Sequence, residues 1–327
     1  MTRTSVGILR GGTSNEYDLS LKTGAAMLAA LPEDRYDTRD IFIDKRGYWH
    51  QRGIPADPAR ILSQVDVVLN ALHGGVGEDG TVQRIFERAG VPYAGARAQA
   101  ASLSLNKIRA RQVLQQAGVR MPRAISFTLS NDLTTGEMGR FVFSQFGPPY
   151  IVKPASEGAG QGIQIAMTLL ELPDILGDIL DAYGAALVEE YIRGEEASVG
   201  IIENFRGEEL YALPPAHVLL PEGARFLQPR HHVEGLLRHS VPSDFSHNEK
   251  QALADLARAA HRALKLSHFS RADIILPGRA GTARAPYLLE VNAIPGLYPN
   301  ASFPHMLESV GSSVREFLEH AIKLAMR

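Results

Sequence analysis

Short hydrophobic runs alternate with helical patterns over the first third of the chain. Residues 5–9 and 67–72 are mostly aliphatic and predict two buried strands. Residues 19–31 and Thr81–Ala89 instead carry apolar side chains at helical spacing. This alternation is typical of an α/β domain in which helices cover the faces of a parallel sheet, and ligands bind such sheets in the loops that follow the strands.

Beyond this region the pattern indicates two further units. Residues 100–117 predict one helix that opens the second unit. The later strands expected from the pattern are 124–127, 149–153, 163–166, 186–191, 197–202, 271–276 and Tyr287–Asn292. We therefore divide the chain into an N-terminal domain of residues 1–99, a central lobe of residues 100–190 and a C-terminal lobe of residues 191–327. Residues 221–246 have little periodicity, and loops of that length are often lids.

The composition narrows the class of protein. The 327 residues are 45% hydrophobic and 21% charged, as in ordinary globular chains. Lys and Arg number 34 against 36 Asp and Glu, so charge gives no case for a nucleic-acid or membrane partner. The chain has no Cys, which excludes disulfides, thiolate metal sites and cysteine nucleophiles. Because no apolar stretch reaches membrane length, we expect a cytoplasmic protein.

Three oxygen-bearing side chains lie in apolar strand patterns near the C-terminus. Asp273 lies in RADIIL, and Glu290 and Asn292 lie two residues apart in LLEVN, which places them on one strand face. If the two strands pair, the three groups converge, and such an incomplete set of hard oxygen donors suits Mg²⁺. The alternative is a set of ordinary edge-strand polar groups, although a charge inside a buried strand needs a partner.

A lysine followed by a glycine-rich turn indicates a phosphate site. Lys153 ends a predicted strand, and the loop after it contains Gly158, Gly160 and Gly162. Backbone N–H groups of such a loop, with one ammonium, can surround phosphates. The loop is neither a P-loop nor a dinucleotide-binding fingerprint. Lys107 is a candidate second phosphate contact, or simply an exposed helix lysine.

Two further polar clusters follow predicted strands. Glu189, Glu190 and Ile192, with Glu196 close behind, form an acidic strand end that could bind an adenine amino group and ribose hydroxyls; a solvated acidic turn is the alternative. His73 is followed by glycines, so a small substrate could approach it closely; a structural turn before the next helix is the alternative there.

The order and spacing of these motifs resemble those of D-alanine–D-alanine ligases, a family of the ATP-grasp superfamily. The resemblance covers essentially the whole chain. The matching stretches are GGTSNEYDLSLKTG, ALHGGVGEDGTVQRIFERAGVPYAG, LSLNKIRARQVL, IVKPASEGAGQGI, VEEYIRGEEASVG, RADIIL and LLEVNAIPGLYPNASFP. The resemblance implies an N-terminal parallel-sheet α/β domain followed by a two-lobed α+β ATP-grasp fold, and commonly a homodimer.

The resemblance also implies a reaction in peptidoglycan synthesis. ATP phosphorylates the carboxylate of one D-alanine, and the amine of a second attacks the acyl phosphate to give D-alanyl-D-alanine. Glu16 matches the residue that holds the first ammonium, and His73 matches its neighbour in the pocket. Arg271 matches the cation beside the reacting carboxylate, and the N–H of Gly296 would help it stabilise the oxyanion.

The remaining matches concern nucleotide and metal. Lys107 and Lys153 match the phosphate-binding lysines, and Glu189 and Glu196 match contacts to adenine and ribose. The resemblance also implies that Asp273, Glu290 and Asn292 bind Mg²⁺, or Mn²⁺ in its place.

This sequence departs from the family at three places. Ala159 occupies the position of a loop Ser that the N-terminal acidic residue usually orients. The lid segment has neither Lys nor Tyr, but carries Arg230, His231 and His232. The Ser that contacts the second substrate appears one place late, as Ser302.

These departures leave alternatives open. A related ligase could use D-lactate, D-serine or another D-amino acid as second substrate, with His231 and His232 as substrate contacts whose charge varies near neutral pH. A solvated loop is the alternative for these two histidines. A nucleotide-binding protein that has lost ligase activity is a third hypothesis, but the retained magnesium positions and Arg271 argue against it.

Overall fold

A computed structural model of the chain describes residues 3–158, 160–219, 221, 223, 236, 238–278 and 284–327. Ala159, Arg230, His231 and His232, with most of the expected lid, lie outside the described residues. The strands are β1 Thr4–Gly11, β2 Tyr36–Ile43, β3 Trp49–Gln51, β4 Ile54–Pro55, β5 Val67–Asn70, β6 Tyr93–Ala94, β7 Ala124–Thr128, β8 Tyr150–Pro154, β9 Gln164–Ala166, β10 Ala185–Glu190, β11 Gly194–Phe205, β12 Glu208–Ala212, β13 Ala216–Leu219, β14 Arg238–Ser240, β15 Phe269–Pro277 and β16 Tyr287–Asn292. The helices are α1 Tyr17–Ala30, α2 Pro58–Leu62, α3 Thr81–Ala89, α4 Ala98–Leu105, α5 Lys107–Gln116, α6 Thr135–Gln145, α7 Leu172–Tyr183, α8 His247–Ala263, α9 Ser302–Ser309 and α10 Val314–Ala325.

The first sheet has the order β4-β3-β2-β1-β5-β6. Its strands β2, β1, β5 and β6 pair in parallel, as the alternating pattern predicts. The inner strands β1 and β5 are largely buried, as is typical of parallel strands covered on both faces. The two short strands β3 and β4 extend it in antiparallel fashion. The loops after β1 and β5 therefore leave the same edge of the sheet, and these loops carry Glu16 and His73.

The other two sheets are antiparallel. The central sheet has the order β7-β10-β8-β9, and the C-terminal sheet has the order β14-β13-β11-β15-β16, with β12 paired to β11. All strands that the pattern predicts in these lobes are present. The pattern does not predict the short strands β12, β13 and β14, because β12 and β14 are largely polar and partly exposed and β13 has only four residues. The boundaries between the domains stay a prediction.

The prediction of a single helix over residues 100–117 is wrong in one respect. The structure breaks it into α4 and α5 at Asn106, whose backbone is extended and whose side chain accepts a hydrogen bond from Arg109 N at 3.0 Å. Asparagine favours this N-cap position because its side chain satisfies a free helix N–H group. Lys107 thus becomes the first residue of α5.

The helices turn their apolar faces to the sheets and leave polar faces outside. In the ranges that the structure describes, none is both long and apolar enough to cross a membrane.

Candidate active site

The predicted pairing of the acidic strands is confirmed. In the antiparallel pair β15–β16, Asp273 lies opposite Glu290, and Arg271 lies opposite Asn292. Asn292 Nδ2 donates to Asp273 Oδ2 at 2.8 Å. The pairing therefore brings together, on one sheet, the residues that the sequence assigned to a metal and to a reacting carboxylate.

Asp273 is the centre of this arrangement. Arg271 binds it in bidentate fashion, with Nε 3.0 Å from Oδ1 and NH2 2.8 Å from Oδ2. Ser198 on the neighbouring strand β11 donates to Oδ1 at 2.7 Å. Burial opposes the charge of Arg271, but the carboxylate of Asp273 raises its pKa above the ordinary value, so the guanidinium keeps its charge. A fixed, permanently charged group of this kind can stabilise a developing oxyanion.

A cavity of about 350 Å³ opens beside these strands. It is large enough for the polar and apolar parts of a small ligand such as a nucleotide. The cavity is lined by residues from both antiparallel sheets. They include Arg271 and most of the residues assigned to nucleotide and metal: Lys153, Gly160, Glu189, Glu190, Ile192, Glu196, Asp273 and Glu290.

Lys153 and Glu189 form a buried ion pair. They are diagonal neighbours on the paired strands β8 and β10, with Lys153 Nζ 2.6 Å from Glu189 Oε2. The other carboxylate oxygen of Glu189 lies 3.4 Å from Arg111 NH1 on α5. Burial opposes the charge of Lys153, but Glu189 and Glu290 raise its pKa, so the ammonium remains charged beside the cavity.

Lys107 connects the glycine-rich loop to the metal strand. Its Nζ lies 3.6 Å from Glu290 Oε2 and also donates to the carbonyl oxygen of Glu157. Its backbone N–H, at the start of α5, donates to Ala155 O at 2.8 Å. Both lysines assigned to phosphate thus approach the same loop, one from a strand and one from a helix N-terminus.

The acidic residues at the end of β10 and the start of β11 have different surroundings, although they are close in sequence. The side chain of Glu190 binds Arg123, with Arg123 Nε 2.7 Å from Oε2 and Arg123 N 2.8 Å from Oε1. Its carboxylate is therefore committed to that arginine. Glu196 lines the cavity instead, where burial and the nearby Asp273 raise its pKa to about 7.

Glu16 lies at the junction of three loops. Its carboxylate touches Gly158 and Gly74, since a Cβ atom at Gly158 would overlap Glu16 Oε1 and one at Gly74 would lie 2.7 Å from it. Burial, followed by the charges of Glu78 and Glu290, raises the pKa of Glu16 to about 8. An ammonium bound here would favour the carboxylate form.

His73, in the loop after β5, is held by several hydrogen bonds to α1 and to the loop that precedes it. His73 Nε2 lies 2.7 Å from the hydroxyl of Thr23, which is fully buried in α1. Ser20 Oγ accepts a hydrogen bond from His73 N at 2.9 Å, and Ser14 Oγ donates to His73 O at 2.6 Å. The imidazole and its backbone are therefore fixed to α1, next to Glu16.

The sequence interpretation missed the role of Glu78. Its buried carboxylate accepts a hydrogen bond from Gly74 N at 2.7 Å and another from Ile294 N. It thus connects the His73 loop to the turn after β16. Its place in GVGEDG, a glycine-rich turn, was the only signal, and that signal does not identify a distant partner.

Two residues of the C-terminal turn also frame the site. Gly296 is buried, and a Cβ atom there would lie 2.7 Å from the ring of Tyr298. Tyr298, which the sequence interpretation missed, lies among charged neighbours: burial raises its pKa to about 12, Arg271 opposes this shift and Glu16 adds to it. Ser302 is buried at the first position of α9.

The donor chemistry fits a hard divalent cation. Asp273, Glu290 and Asn292 are neighbours on paired strands and offer carboxylate and amide oxygens. No cluster of three or more His, Cys, Asp or Glu within metal-binding reach occurs in the described ranges. A set of two carboxylates and one amide suits a cation that takes its other ligands from phosphates and water.

The chain is similar in sequence to known proteins. Residues 113–323 match the family model described as D-ala D-ala ligase C-terminus, and residues 53–96 match the one described as D-ala D-ala ligase N-terminus. The D-alanine--D-alanine ligase of Desulforudis audaxviator is 30% identical over 98% of this chain and 98% of its own length.

Two solved structures are also similar. The D-alanine--D-alanine ligase from Bacillus anthracis, complexed with ATP, has a TM-score of 0.79 at 25% identity and covers 99% of this chain and 98% of its own. The VanG D-Ala:D-Ser ligase from Enterococcus faecalis has a TM-score of 0.84 at 23% identity, over 99% of this chain and 100% of its own. The ATP-grasp fold expected from the sequence is confirmed.

Proposed function

This chain belongs to the D-alanine–D-alanine ligase family, and on that premise we propose that it joins two D-alanine molecules with the free energy of ATP hydrolysis. The products are D-alanyl-D-alanine, ADP and phosphate, and the dipeptide serves peptidoglycan synthesis. One observation carries the proposal: the bidentate pair Arg271 and Asp273 lines the nucleotide-sized cavity together with Glu290, whose charge also acts on Glu16.

The first step is phosphoryl transfer. A carboxylate oxygen of the first D-alanine attacks the γ-phosphorus of ATP, and the bond to the β–γ bridging oxygen breaks, which releases ADP. Glu16 holds the ammonium of this D-alanine, while Arg271 neutralises charge beside its carboxylate. Lys107 and Lys153 supply two ammonium groups to the phosphates. Phosphoryl transfer depends mainly on such positioning and charge neutralisation.

The second step is acyl transfer. The amine of the second D-alanine, once deprotonated, attacks the carbonyl carbon of the acyl phosphate. The resulting oxyanion lies near Arg271 and the N–H of Gly296, two fixed donors of the kind that lower such barriers by a few kcal/mol. Collapse of the tetrahedral intermediate breaks the bond to phosphate and leaves the peptide bond. Ser302, at the start of α9, is the residue that we assign to the second substrate.

Magnesium would be held by Asp273, Glu290 and Asn292. When bound it would neutralise phosphate charge and orient the γ-phosphate. The pKa of Glu196 is raised by burial and then by Asp273, so acidic groups lie close together at this site. Such a concentration of negative charge favours the binding of a cation. The adenine and ribose would lie against Glu189, Glu190, Ile192 and Glu196. We place this chemistry in the cytoplasm of the cell, in a homodimer.

The test is a product assay with purified protein. ATP, Mg²⁺ and D-alanine should give D-alanyl-D-alanine and one phosphate per dipeptide, detected by mass spectrometry and phosphate release. D-Serine and D-lactate are added in competition, each in equal amount with D-alanine. If only the mixed products form, the second substrate is D-serine or D-lactate and not D-alanine. ATP binding without any product would overturn ligation itself.

A further inference from the structure

The buried contact between Arg111 and Glu189 leads beyond the residues assigned so far. Arg111 lies on α5, one helical turn after Lys107, so both side chains point to the same face. It is 5% exposed, and Glu189 is 3% exposed. Burial of an arginine costs free energy unless the guanidinium is paired with a charged or hydrogen-bonding group, so the burial of Arg111 requires an explanation.

The charges around Glu189 do not balance locally. One carboxylate lies between two cations, Lys153 at 2.6 Å and Arg111 at 3.4 Å. Arg111 NH2 is buried and finds no hydrogen-bond partner in the part of the chain that the structure describes. Without Arg111, Lys153 and Glu189 would form a closed neutral pair. With it, the three groups Lys153, Glu189 and Arg111 carry one net positive charge, and the carboxylate of Glu290 is the further anion that acts on Lys153.

The same arginine links the two lysines. A small cavity of about 20 Å³ is lined by Lys107, Arg111, Glu189 and Glu290, so these four charged groups surround one space. Arg111 therefore connects the helix that carries Lys107 to the strands that carry Lys153 and Glu189.

We infer that Arg111 is a positioning residue for phosphate binding. It occupies one oxygen of Glu189, so that the ammonium of Lys153 is oriented but its charge remains available to the nucleotide phosphates. Arg111 itself touches neither nucleotide nor substrate. The inference rests on the proposed function in one respect, namely that Lys153 faces the phosphates.

Binding of ADP and adenosine separates this role from simple packing. Calorimetric titrations of both ligands are compared in the wild type and in Arg111→Met, without D-alanine. We expect the Kd of ADP to rise about tenfold, which corresponds to about 1.4 kcal/mol, and the Kd of adenosine to change by less than about twofold. Arg111→Lys, which keeps the charge, should bring the Kd of ADP back to within about threefold of the wild type.

The outcomes decide the matter in both directions. An equal loss of ADP and adenosine affinity would mean that Arg111 only supports the fold of the cavity, and an unchanged ADP affinity in a folded Met variant would also overturn the inference. Should the Met variant not fold, Arg111→Gln removes the charge but keeps a polar group, and the same comparison applies to it. Arg258→Met, a change to a helix arginine bound to Asp255 away from the cavity, is the control and should bind both ligands normally.

These measurements do not depend on ligation. A protein that makes no dipeptide but shows the ADP-specific loss would refute the proposed function and support the role of Arg111. Normal dipeptide synthesis with unchanged ADP affinity in the variants would support the proposed function and refute the role of Arg111.

Discussion

The carboxylate of Glu16 lies directly against the α-carbon of Gly158. Glu16 is in the loop after β1 of the N-terminal sheet, and Gly158 is in the loop after β8 of the central sheet. A Cβ atom at Gly158 would overlap Glu16 Oε1, so either the carboxylate or the loop would have to shift to accept a larger residue. The glycine-rich loop thus closes over the residue that we assign to the first substrate. In sequence these residues belong to two separate motifs, and in the structure they form one contact.

Gly158→Ala tests this contact. The added methyl group should displace either the loop or the carboxylate by about 1 Å, and kcat/KM for D-alanine should fall about a hundredfold. The melting temperature should change little, because the loop is at the edge of the cavity. Gly147→Ala is the control, since nothing lies within 4 Å of a Cβ atom there. Equal activities of the two variants would contradict the contact.

Glu16 also predicts a dependence on pH. Burial, with Glu78 and Glu290, raises its pKa to about 8, while only the carboxylate binds an ammonium well. The KM for the first D-alanine should therefore fall as the pH rises toward 8. Initial rates at several pH values measure this, and a KM that is constant between about pH 6 and pH 8 would count against the assignment.

The same shift has a consequence for stability. A carboxyl group whose pKa is raised on folding takes up a proton relative to the unfolded chain, so it destabilises the fold increasingly as the pH rises from its unfolded pKa to about 8. Glu16→Gln should lose ligase activity yet melt at a higher temperature than the wild type at about pH 8. The difference should shrink toward about pH 5. A Gln variant that melts lower than the wild type at the higher pH would contradict the raised pKa.

The hydroxyl of Thr23 should matter through His73. The 2.7 Å hydrogen bond fixes the imidazole, so Thr23→Val, which keeps the shape but removes the hydroxyl, should raise the KM for D-alanine by about threefold to tenfold. The kcat should stay close to that of the wild type. Thr23→Ser keeps the hydroxyl and serves as control. If the Val and Ser variants have the same KM, His73 does not depend on this bond.

Glu290→Gln tests the metal assignment. Removing one carboxylate from the set should raise the Mg²⁺ concentration for half-maximal activity by about tenfold or more, and excess Mn²⁺ should restore part of the rate. Titration of activity with each metal measures this. Glu208→Gln, a change to an exposed carboxylate in the same lobe, should leave the metal requirement unchanged. An unaltered Mg²⁺ dependence of the Glu290→Gln variant would exclude Glu290 as a ligand.

Local patterns were sufficient for most of the longer helices and strands. The helix Thr81–Ala89 and the strand Tyr287–Asn292 have the bounds that the sequence predicts, because a periodic apolar face dictates each of them. The break at Asn106 was missed because the apolar pattern continues through it, and only the preference of Asn for N-caps opposes that pattern.

Long-range polar contacts could not be predicted in the same way. Arg111 has the sequence context of an exposed helix residue, and nothing near it indicates Glu189, which is 78 residues away. Glu78 likewise has the sequence context of a turn, yet it reaches the turn after β16. Such partners follow from the packing of separate sheets, which a single sequence does not specify residue by residue. The roles of the site residues therefore stay predictions until the variants are measured.

The transfer of ¹⁸O from D-alanine tests the central claim most directly. With D-alanine labelled in both carboxylate oxygens, ATP and Mg²⁺, the released phosphate should carry one ¹⁸O atom for each D-alanyl-D-alanine formed, because the carboxylate oxygen leaves with the phosphoryl group. Phosphate without the label, or ATP hydrolysis without dipeptide, would contradict ligation through an acyl phosphate at this site.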